Sequence, residues 1–394
     1  MTVQTLAGKE IVIGVTGSIA AVETVKLIHA LLRKGATVRP VMSAAAQGII
    51  HPDALTYASG NVTVTRLSGL VEHVTLCGDG GSASLLLIAP CTANTIGKIA
   101  CGIDDTPVTT CATTALGSGM PVIVVPAMHH SMYRHPAVMK NITTLRSWGA
   151  EVAEPRIEEE KAKIATTDEI VLLCERAVLG KPLSGKRVLV TSGPCREPVD
   201  DVRVLTTRSS GQMGQEIALE AYRLGADVTI IHNGKIPLVE NIGVETAADM
   251  SRAVSAYCKK KSPDLYISAA AVSDFSPEKI AGKIPSGRPA TIDLQPLPKL
   301  LDNVLKHKET RVIAFKIGRK PLPEAQALIG RGAWMVLTNT PESMGTHNGS
   351  YRIVTAKDKA GKPVAGTKEE IASALWQEIL AGFLTPKKPR KHNS

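Results

Sequence analysis

The sequence predicts an α/β protein with two doubly wound domains, and three observations support this fold class. The chain has 394 residues, more than the roughly 250–300 residues at which a single core stops growing. An apolar β-branched run, a Gly/Ser loop and a helical pattern follow one another in GKEIVIGVTGSIAAVETVKL, which starts at Gly8. The same order returns, in altered form, in KRVLVTSGPCREPVDDVRVLTTRSSGQMG, residues 186–214. We therefore expect a first domain over residues 1–180, a linker over 181–186, a second domain over 187–384 and a disordered basic tail over 385–394.

The composition is that of a soluble globular protein, with 44% hydrophobic and 21% charged residues. No stretch approaches the roughly 20 apolar residues of a membrane helix, and MTVQTLAGKE has no secretion signal. We expect a cytoplasmic protein without a membrane partner. The net charge of +10 raises nucleic acid as a partner, but aromatic residues make up only 3% of the chain and part of the charge lies in the tail. Anionic small molecules therefore suit the charge better than nucleic acid.

The seven cysteines show no spacing typical of a metal site. We interpret them as reduced and mostly buried thiols.

In the first domain, residues 10–15 form a predicted strand, and apolar residues at helical spacing predict a helix that ends at Gly35. A second strand starts at Ala36 and ends at Ser43. In such a βαβ unit the ligands lie at the carboxyl ends of the strands. Gly17, Ser18 and Ser43 are therefore expected at that edge, although a Gly-Ser turn before a helix is often only a helix cap.

Two further strands follow. Residues 85–89 predict a strand buried on both faces that Pro90 ends, with Thr92 and Asn94 at the start of the next helix. The strand from Pro121 runs into a loop with His129 and His130, two adjacent histidines that do not match a zinc motif.

Residues 71–76 alternate like a strand and carry His73, although most isolated histidines are structural or exposed. Together, four strand ends with small or polar loops suit a flat heteroaromatic phosphate such as flavin mononucleotide, FMN.

In the second domain, the RSSGQMG loop precedes a predicted helix over residues 212–224 and the strand ADVTIIHN, a Rossmann-like start. The simpler interpretation of the loop is a tight turn with a cap. A buried strand from Asp264 ends in small residues and Asp274, and a carboxylate there can bind Mg2+ or a sugar hydroxyl. Lys279 and Lys283 follow on a Gly/Pro loop, which is either solvated surface or a clamp for phosphates.

The motifs GSIAAVETVKL, EHVTL, APCTANTIGKIACGIDD and PAMHHSMY resemble those of flavodoxin-like phosphopantothenoylcysteine decarboxylases. The motifs of residues 185–214, SAAAVSDFSPEKIAGKIPS and VIAFK resemble those of phosphopantothenate-cysteine ligases. In this order they are similar to the bifunctional coenzyme A biosynthesis proteins of prokaryotes, the archaeal branch in particular, over about residues 8–382.

For the first domain, this resemblance implies that FMN is held by Gly17, Ser18, Ser43, Thr92 and Asn94. It places His73 on the active-site histidine of the family, and Met128 and His129 in a substrate-binding motif. In the implied reaction the flavin oxidises the cysteine of the conjugate, CO2 is released, and the reduced flavin returns the two electrons to yield 4'-phosphopantetheine. It also implies FMN at a subunit contact, in a homo-oligomer that is trimer-based or dodecameric.

For the second domain, the resemblance implies ligation of 4'-phosphopantothenate with cysteine through an acyl-cytidylate made from CTP. It places Lys283 on the lysine that contacts the triphosphate, and Asp274 beside the nucleotide and Mg2+. The other implied nucleotide and acyl-nucleotide contacts are Ser209, Ser210, Gly211, Met213, Lys299, Leu300, Leu301, Phe315 and Arg331.

The chain departs from the family pattern at four places. His129 replaces an asparagine, and the region of residues 154–169 lacks the cysteine that protonates the product, which leaves Lys161, Lys163 or a group from a partner subunit as candidates. In the second domain Thr207 replaces an asparagine, and Gly193-Pro194-Cys195 replaces Gly-Gly-Thr. A flavin-binding regulatory or scaffold subunit is therefore the alternative to an enzyme.

Overall fold

The computed structural model describes residues 3–158, 161–287 and 289–383. Its internal contacts divide the chain into a first unit, Met1–Gly180, and a second unit that starts at Lys181. The tail predicted for residues 385–394 lies outside the described residues.

The strands described in the first unit are β1 (Glu10–Val15), β2 (Thr37–Met42), β3 (Leu85–Cys91), β4 (Val122–Pro126), β5 (Met128–His129), β6 (Glu151–Val152), β7 (Arg156–Glu158) and β8 (Lys161–Lys163). Its helices are α1 (Thr24–Arg33), α2 (Ala44–Gln47), α3 (Pro52–Ser59), α4 (Glu72–Cys77), α5 (Ala93–Ala100), α6 (Pro107–Gly117), α7 (His130–Tyr133), α8 (Pro136–Ser147) and α9 (Thr167–Val178), with a short 3-10 helix at Ile19–Glu23.

The first unit is organised around a parallel sheet, in which the described strands lie in the order β2-β1-β3-β4-β6. The central strand β3 is buried along its whole length, as expected for a strand with helices on both faces. One face packs on α5, α6 and α8 in a common apolar core. The opposite face meets α9. The predicted doubly wound architecture of this unit is thus confirmed.

Two predictions about local structure in this unit were wrong. Residues 71–76 form no strand, because α4 occupies Glu72–Cys77 and the Ser68 N–H donates to the Glu72 carboxylate at its start. Val71 and Val74 are three residues apart, which also matches one face of a helix. A run this short therefore does not distinguish the spacing of a strand from that of a helix. Pro90 does not end β3, which continues to Cys91, because the pairing with β4 shifts register between Ile88 and Cys91. Proline fits a strand at such an irregularity.

A separate small antiparallel sheet follows the fourth parallel strand. The described strands lie in the order β5-β8-β7, so that the hairpin of β7 and β8 pairs with Met128–His129 directly after β4. This hairpin lies within residues 154–169, which contain no cysteine. Its strands were not predicted from the sequence.

The strands described in the second unit are β9 (Arg187–Thr191), β10 (Arg196–Pro198), β11 (Val204–Thr206), β12 (Asp227–His232), β13 (Glu240–Gly243), β14 (Leu265–Ser268), β15 (Phe275–Pro277), β16 (Leu294–Pro296), β17 (Arg311–Ile317), β18 (Met335–Asn339), β19 (Asn348–Thr355) and β20 (Lys362–Thr367). Its helices are α10 (Gln212–Arg223), α11 (Ala247–Lys261), α12 (Leu300–Val304), α13 (Leu322–Gly330) and α14 (Lys368–Phe383), with a 3-10 turn at Pro341–Ser343.

The main sheet of this unit has the described order β13-β12-β9-β14-β17-β18-β19-β20. The strands from β13 to β18 are parallel, and β19 and β20 extend the sheet antiparallel. The predicted Rossmann-like start is confirmed, since β9, α10 and β12 follow one another and β12 pairs parallel with β9. Two further hairpins, β10-β11 and β15-β16, lie outside this sheet.

Helix α14 packs against α10 on one face of the sheet. The indole N–H of Trp376, which is 1% exposed, donates to the carbonyl oxygen of Ile217 at 2.9 Å. Ile217, Ala218 and Ala221 are buried on one face of α10.

None of the helices described here has the length and apolar content that crossing a membrane requires. All seven cysteines are free, and Cys101 alone among them is exposed, which confirms the prediction of mostly buried thiols.

Candidate active sites

The first unit contains a cavity of about 1150 Å³ where the loops after β1, β2, β3 and β4 meet. Parallel strands deliver their carboxyl ends to one edge of a sheet, which explains why loops distant in sequence converge here. The structure brings together at this cavity all the residues predicted for FMN and for the substrate motif of this domain, namely Gly17, Ser18, Ser43, Thr92, Asn94, Met128 and His129.

The loop after β1 is tied to the loop after β4 by Ser18. Its hydroxyl accepts the Ala20 N–H at 3.4 Å, which caps the short 3-10 helix, and donates to the carbonyl oxygen of Ala127 at 3.2 Å. Gly17 lies against α2, where an added Cβ would sit 2.6 Å from the Cβ of Ala45. This position has room for backbone only, so a ligand can approach its peptide closely.

Two buried hydroxyl groups at the cavity have no hydrogen-bond partner among the described residues, Thr24 Oγ1 and Ser43 Oγ. Thr24 is 2% exposed and Ser43 is 7% exposed. A buried polar atom without a partner is costly. A phosphorylated, hydroxylated ligand such as FMN would satisfy both groups, so the residues present fit this cofactor.

The small antiparallel sheet contributes cations to the same cavity. Arg156 and Lys163 are directly opposite each other in the register of β7 and β8, and both line the cavity. The guanidinium Nε of Arg156 also donates to the carbonyl oxygen of Ile164 at 3.1 Å. Sequence reasoning missed Arg156. The alternation of charged and apolar residues in Arg156-Ile157-Glu158 and again in Lys161-Ala162-Lys163 was the available signal for a hairpin.

His129 is the N-cap residue of α7 and lines the cavity. Its Nδ1 lies 2.9 Å from the hydroxyl of Ser131 and caps the helix. That contact leaves Nε2 as the ring nitrogen that can meet a ligand.

His73 is the predicted residue that the structure separates from the others. It lies on α4 and is not among the described residues that line the cavity. Its Nδ1 is buried without a partner in the described structure. Helix α4 packs on α6, whose N-terminal residues Thr106 and Thr109 do line the cavity. Around His73 the apolar side chains of Leu70, Val71 and Val74 are exposed.

In the second unit, the loop after β9 packs on the loop before α10. The hydroxyl of Ser192 donates to the carbonyl oxygen of Gly211 at 2.8 Å. Gly211 has φ +76°, and a Cβ at Gly214 would lie 2.4 Å from Ser192 Oγ. Gly211 is therefore required by its left-handed backbone conformation, and Gly214 by its close packing on Ser192. Ser209 is half-buried beside them, whereas Ser210 is exposed.

Small residues after β14 join the same edge. The Ala271 N–H donates to the carbonyl oxygen of Gly193 at 2.9 Å, and the Cys195 N–H donates back to that of Ala271 at 3.4 Å. Cys195 is buried, and burial raises the pKa of its thiol to about 11. This position of the loop after β9 is thus occupied by a protonated thiol.

The remaining nucleotide candidates fall into separate groups. Leu300 is buried and, with Leu301, packs against the core behind β9, whereas Lys299 is exposed. Arg331 follows α13 and forms an ion pair with Asp302 of α12 at 2.6 Å. Phe315 packs edge-on against Tyr351 with ring centroids 6.3 Å apart, and Met213 is partly buried against the same core.

Asp274 and Lys283 are both exposed. The described hydrogen bonds and ion pairs do not join their side chains to each other or to the RSSGQMG loop. The described residues also include no group of three or more His, Cys, Asp or Glu side chains that could hold a metal ion. Asp274 could therefore take part in binding Mg2+ only together with ligands such as nucleotide phosphates.

Models of two protein families match consecutive parts of the chain. Flavoprotein matches residues 2–178, and the C-terminal domain of DNA/pantothenate metabolism flavoprotein matches residues 183–383. The coenzyme A biosynthesis bifunctional protein CoaBC of Thermococcus kodakarensis is 46% identical over 389 residues, which is 95% of both chains. The protein of the same name from Vibrio vulnificus is 38% identical over 71% of both chains. A crystal structure of the C-terminal domain of a CoaBC protein is 28% identical and covers 52% of this chain and 98% of its own, with a TM-score of 0.43.

Proposed function

Because this chain belongs to the family of bifunctional coenzyme A biosynthesis proteins, we propose that it converts 4'-phosphopantothenate and cysteine into 4'-phosphopantetheine in two steps. The second unit is the phosphopantothenate-cysteine ligase and the first unit is the FMN-dependent decarboxylase. The observation that carries the decarboxylase half is the single cavity that unites Gly17, Ser18, Ser43, Thr92 and Asn94.

In the decarboxylase cavity, FMN supplies two-electron chemistry at the cysteine of the conjugate. The Thr24 and Ser43 hydroxyls bind its polar groups, since neither has a hydrogen-bond partner among the described residues. His129 presents Nε2 to the carboxylate of the substrate because Ser131 engages Nδ1.

The hairpin supplies the proton that the missing cysteine gives in relatives. Lys163 lines the cavity and carries an ammonium proton that water can restore. The side chain of Lys161, the other lysine of the hairpin, lies outside the described side chains. We expect Lys163→Met to release CO2 but to accumulate the unreduced enethiol, as judged by product mass. Normal formation of phosphopantetheine by this variant would reject Lys163 as the donor.

In the ligase, activation of the 4'-phosphopantothenate carboxylate on the α-phosphate of CTP builds charge on phosphate oxygens. Lys283 neutralises that charge, and the peptide N–H groups of the RSSGQMG loop bind the acyl-nucleotide. Mg2+ enters with the triphosphate and meets Asp274.

Copies of the chain assemble so that His73 of one copy completes the cavity of another. Two features support this arrangement. His73 is not among the described residues lining the cavity of its own unit, and apolar side chains are exposed both around it (Leu70 and Val74) and on the 3-10 helix beside the cavity (Ile19, which lines it, and Val22). When two different patches meet head to tail from one copy to the next, the copies close into a ring such as a trimer.

A mixing experiment tests this assembly. His73→Asn and the FMN-binding variant Gly17→Val should each lack decarboxylase activity, and reassembly of the mixture should restore part of it. A chain that sediments as a monomer and regains no activity on mixing would reject shared sites.

The proposed function is tested by supplying 4'-phosphopantothenate, cysteine, CTP and Mg2+ to the FMN-loaded protein and recording product masses. Phosphopantetheine is expected. Lys283→Gln should reduce pyrophosphate release by about a hundredfold or more, whereas the exposed Lys235→Gln in the same unit should not change it. If the protein binds flavin but forms neither pyrophosphate nor phosphopantetheine, the proposed enzyme would be rejected in favour of a regulatory subunit.

A further inference from the structure

Two adjacent carboxylates, Asp200 and Asp201, bind the loop that carries Lys283. We call residues 278–287 the clamp loop. The two aspartates lie between β10 and β11, about 80 residues earlier in the chain. The contact is therefore a product of the fold, and sequence proximity does not explain it.

The peptide groups on both sides of Lys283 are held. The N–H of Gly282 donates to Asp201 Oδ2 at 3.0 Å, and the N–H of Ile284 donates to Asp200 Oδ2 at 3.0 Å. In return, the N–H of Asp201 donates to the carbonyl oxygen of Gly282 at 3.1 Å. Lys283 is thus the residue between two anchored peptides, while its own side chain is exposed.

Asp200 is the fixed part of this arrangement. It is 3% exposed, and its Oδ1 accepts the N–H groups of Val202 at 2.8 Å and Arg203 at 2.6 Å. The guanidinium of Arg203 pairs with Asp200 and also donates to the carbonyl oxygen of Ile284 at 3.4 Å. A carboxylate with this many donors cannot turn away from the clamp loop without losing several hydrogen bonds.

Asp201 is the exposed part. Its Oδ1 lies 2.8 Å from the ammonium of Lys279, and both side chains are about half exposed. Exposed ion pairs contribute little because solvent screens them. Of the contacts that Asp201 makes, the bond from the Gly282 N–H is therefore the one that restricts the loop, because Gly282 has φ +76° and glycine is otherwise free to sample many conformations.

We propose that Asp200 and Asp201 are positioning residues for the ligase reaction, which fix the backbone on either side of Lys283 and so direct its ammonium at the phosphate that receives the acyl group. This inference depends on the proposed role of Lys283. Positioning of this kind raises the rate because the conformational entropy of the loop is lost before the reaction begins. Small displacements of the reacting groups lower the rate strongly.

The experiment uses full-length protein and measures kcat and KM for pyrophosphate release with 4'-phosphopantothenate, cysteine, CTP and Mg2+, because cysteine must consume the acyl-cytidylate before the enzyme can turn over again. Asp201→Asn should lower kcat about tenfold and Asp200→Asn about a hundredfold, with KM for 4'-phosphopantothenate within about twofold. Lys279→Met should change kcat by no more than about twofold. The exposed Asp227→Asn in the same unit is the matched control and should behave like the parent protein.

A double-mutant cycle separates positioning from loss of structure. If the aspartates act through Lys283, Asp201→Asn should have no further effect on kcat in a Lys283→Gln background. The same tenfold loss in both backgrounds would overturn the proposal, as would unchanged kcat in both aspartate variants. Should Asp200→Asn not fold, the Asp201 cycle alone decides.

The outcomes also separate this inference from the proposed function. If Lys283→Gln itself leaves pyrophosphate release unchanged, the role of Lys283 is wrong. If Lys283→Gln lowers it and the aspartate variants do not, the role of Lys283 stands and only the positioning by Asp200 and Asp201 is wrong.

Discussion

The hydroxyl of Thr16 joins the loop after β1 to the peptide of Thr92, the residue that caps α5. Thr16 Oγ1 accepts the Thr92 N–H at 3.0 Å and donates to the carbonyl oxygen of Pro90 at 2.8 Å, and Thr16 is 1% exposed. One buried side chain thus sets the spacing of two of the four loops that surround the cavity.

Thr16→Val should weaken FMN binding about tenfold and destabilise the first unit by about 1–3 kcal/mol. Valine has nearly the shape of threonine, but it removes the acceptor of the Thr92 N–H and one of the two donors to the Pro90 carbonyl, which keeps the Thr16 N–H at 3.3 Å. Flavin fluorescence titration gives the affinity, and urea unfolding of the apoprotein gives the stability. Thr143→Val is the control, since Thr143 is exposed on α8 and bonds only within its helix; it should stay within about 0.5 kcal/mol of the parent. Equal effects of the two substitutions would contradict this role of Thr16.

Gly17→Ala should abolish or strongly impair FMN binding. The added methyl would lie 2.6 Å from Ala45 Cβ and 3.2 Å from the backbone carbon of Ala45, so the loop after β1 must move away from α2. Overpacking of this kind costs about 1–3 kcal/mol. Gly48→Ala is matched, because its nearest neighbour would be Ala45 O at 3.7 Å. Bound flavin is measured after dialysis; a Gly17→Ala protein that keeps one FMN per chain would show that the loop has room.

The stability contributed by Asp200 should depend on pH. The N–H of Ile284, together with those of Val202 and Arg203 and the Arg203 guanidinium, holds the pKa of Asp200 well below its ordinary value despite its burial. A carboxyl whose pKa is depressed on folding stabilises the protein above the pKa of the unfolded chain, about 3.9. That contribution is lost as pH falls through the folded pKa.

The measurement compares Asp200→Asn with the parent. The gap in urea midpoint between the two proteins should be constant between about pH 5 and pH 7. It should narrow below about pH 4, where the unfolded parent chain binds a proton at Asp200 while the folded protein keeps that carboxylate ionised. Trp334 and Trp376 report on the second unit once Trp148, which belongs to the first, is replaced by Phe. A gap that stays the same down to pH 3 would show that the charge of Asp200 is not what stabilises the loop.

Cys101 should be the thiol that reacts with Ellman's reagent in the native protein at pH 8. It is exposed, whereas burial raises the pKa of Cys91 and of Cys174, and the adjacent Cys77 thiol followed by burial raises that of Cys111. Thiolate is the reactive form, so these thiols are both shielded and protonated. We expect one fast thiol per chain, none in Cys101→Ser and seven in denaturant. Fast modification of Cys101→Ser would contradict the buried positions.

Much of the fold was accessible from the sequence because its signals are local. Strands such as β3 and β4 are short apolar runs that are followed by Thr92 and by His129. Because the strands are parallel, the loops that follow them lie at the same edge of the sheet. The failures were also local. The run around His73 was too short to separate a strand from a helix, and β19 and β20 were not predicted.

Other parts of the sites depend on contacts that no local pattern contains. The bonds from Asp200 and Asp201 to the clamp loop span more than 80 residues. The position of Arg156 opposite Lys163 depends on the register of a hairpin. The partnerless hydroxyls of Thr24 and Ser43 are recognisable only when every neighbouring donor and acceptor is known.

The bond between Trp376 and Ile217 connects residues 159 positions apart. A ribosome that has just completed α10 must therefore add most of the second unit before α14 can cover that helix, and closing such a long loop is slow. Until then, α14 does not pack on the apolar face of α10, and that face is only partly buried. During translation, this face is where we expect a chaperone to bind.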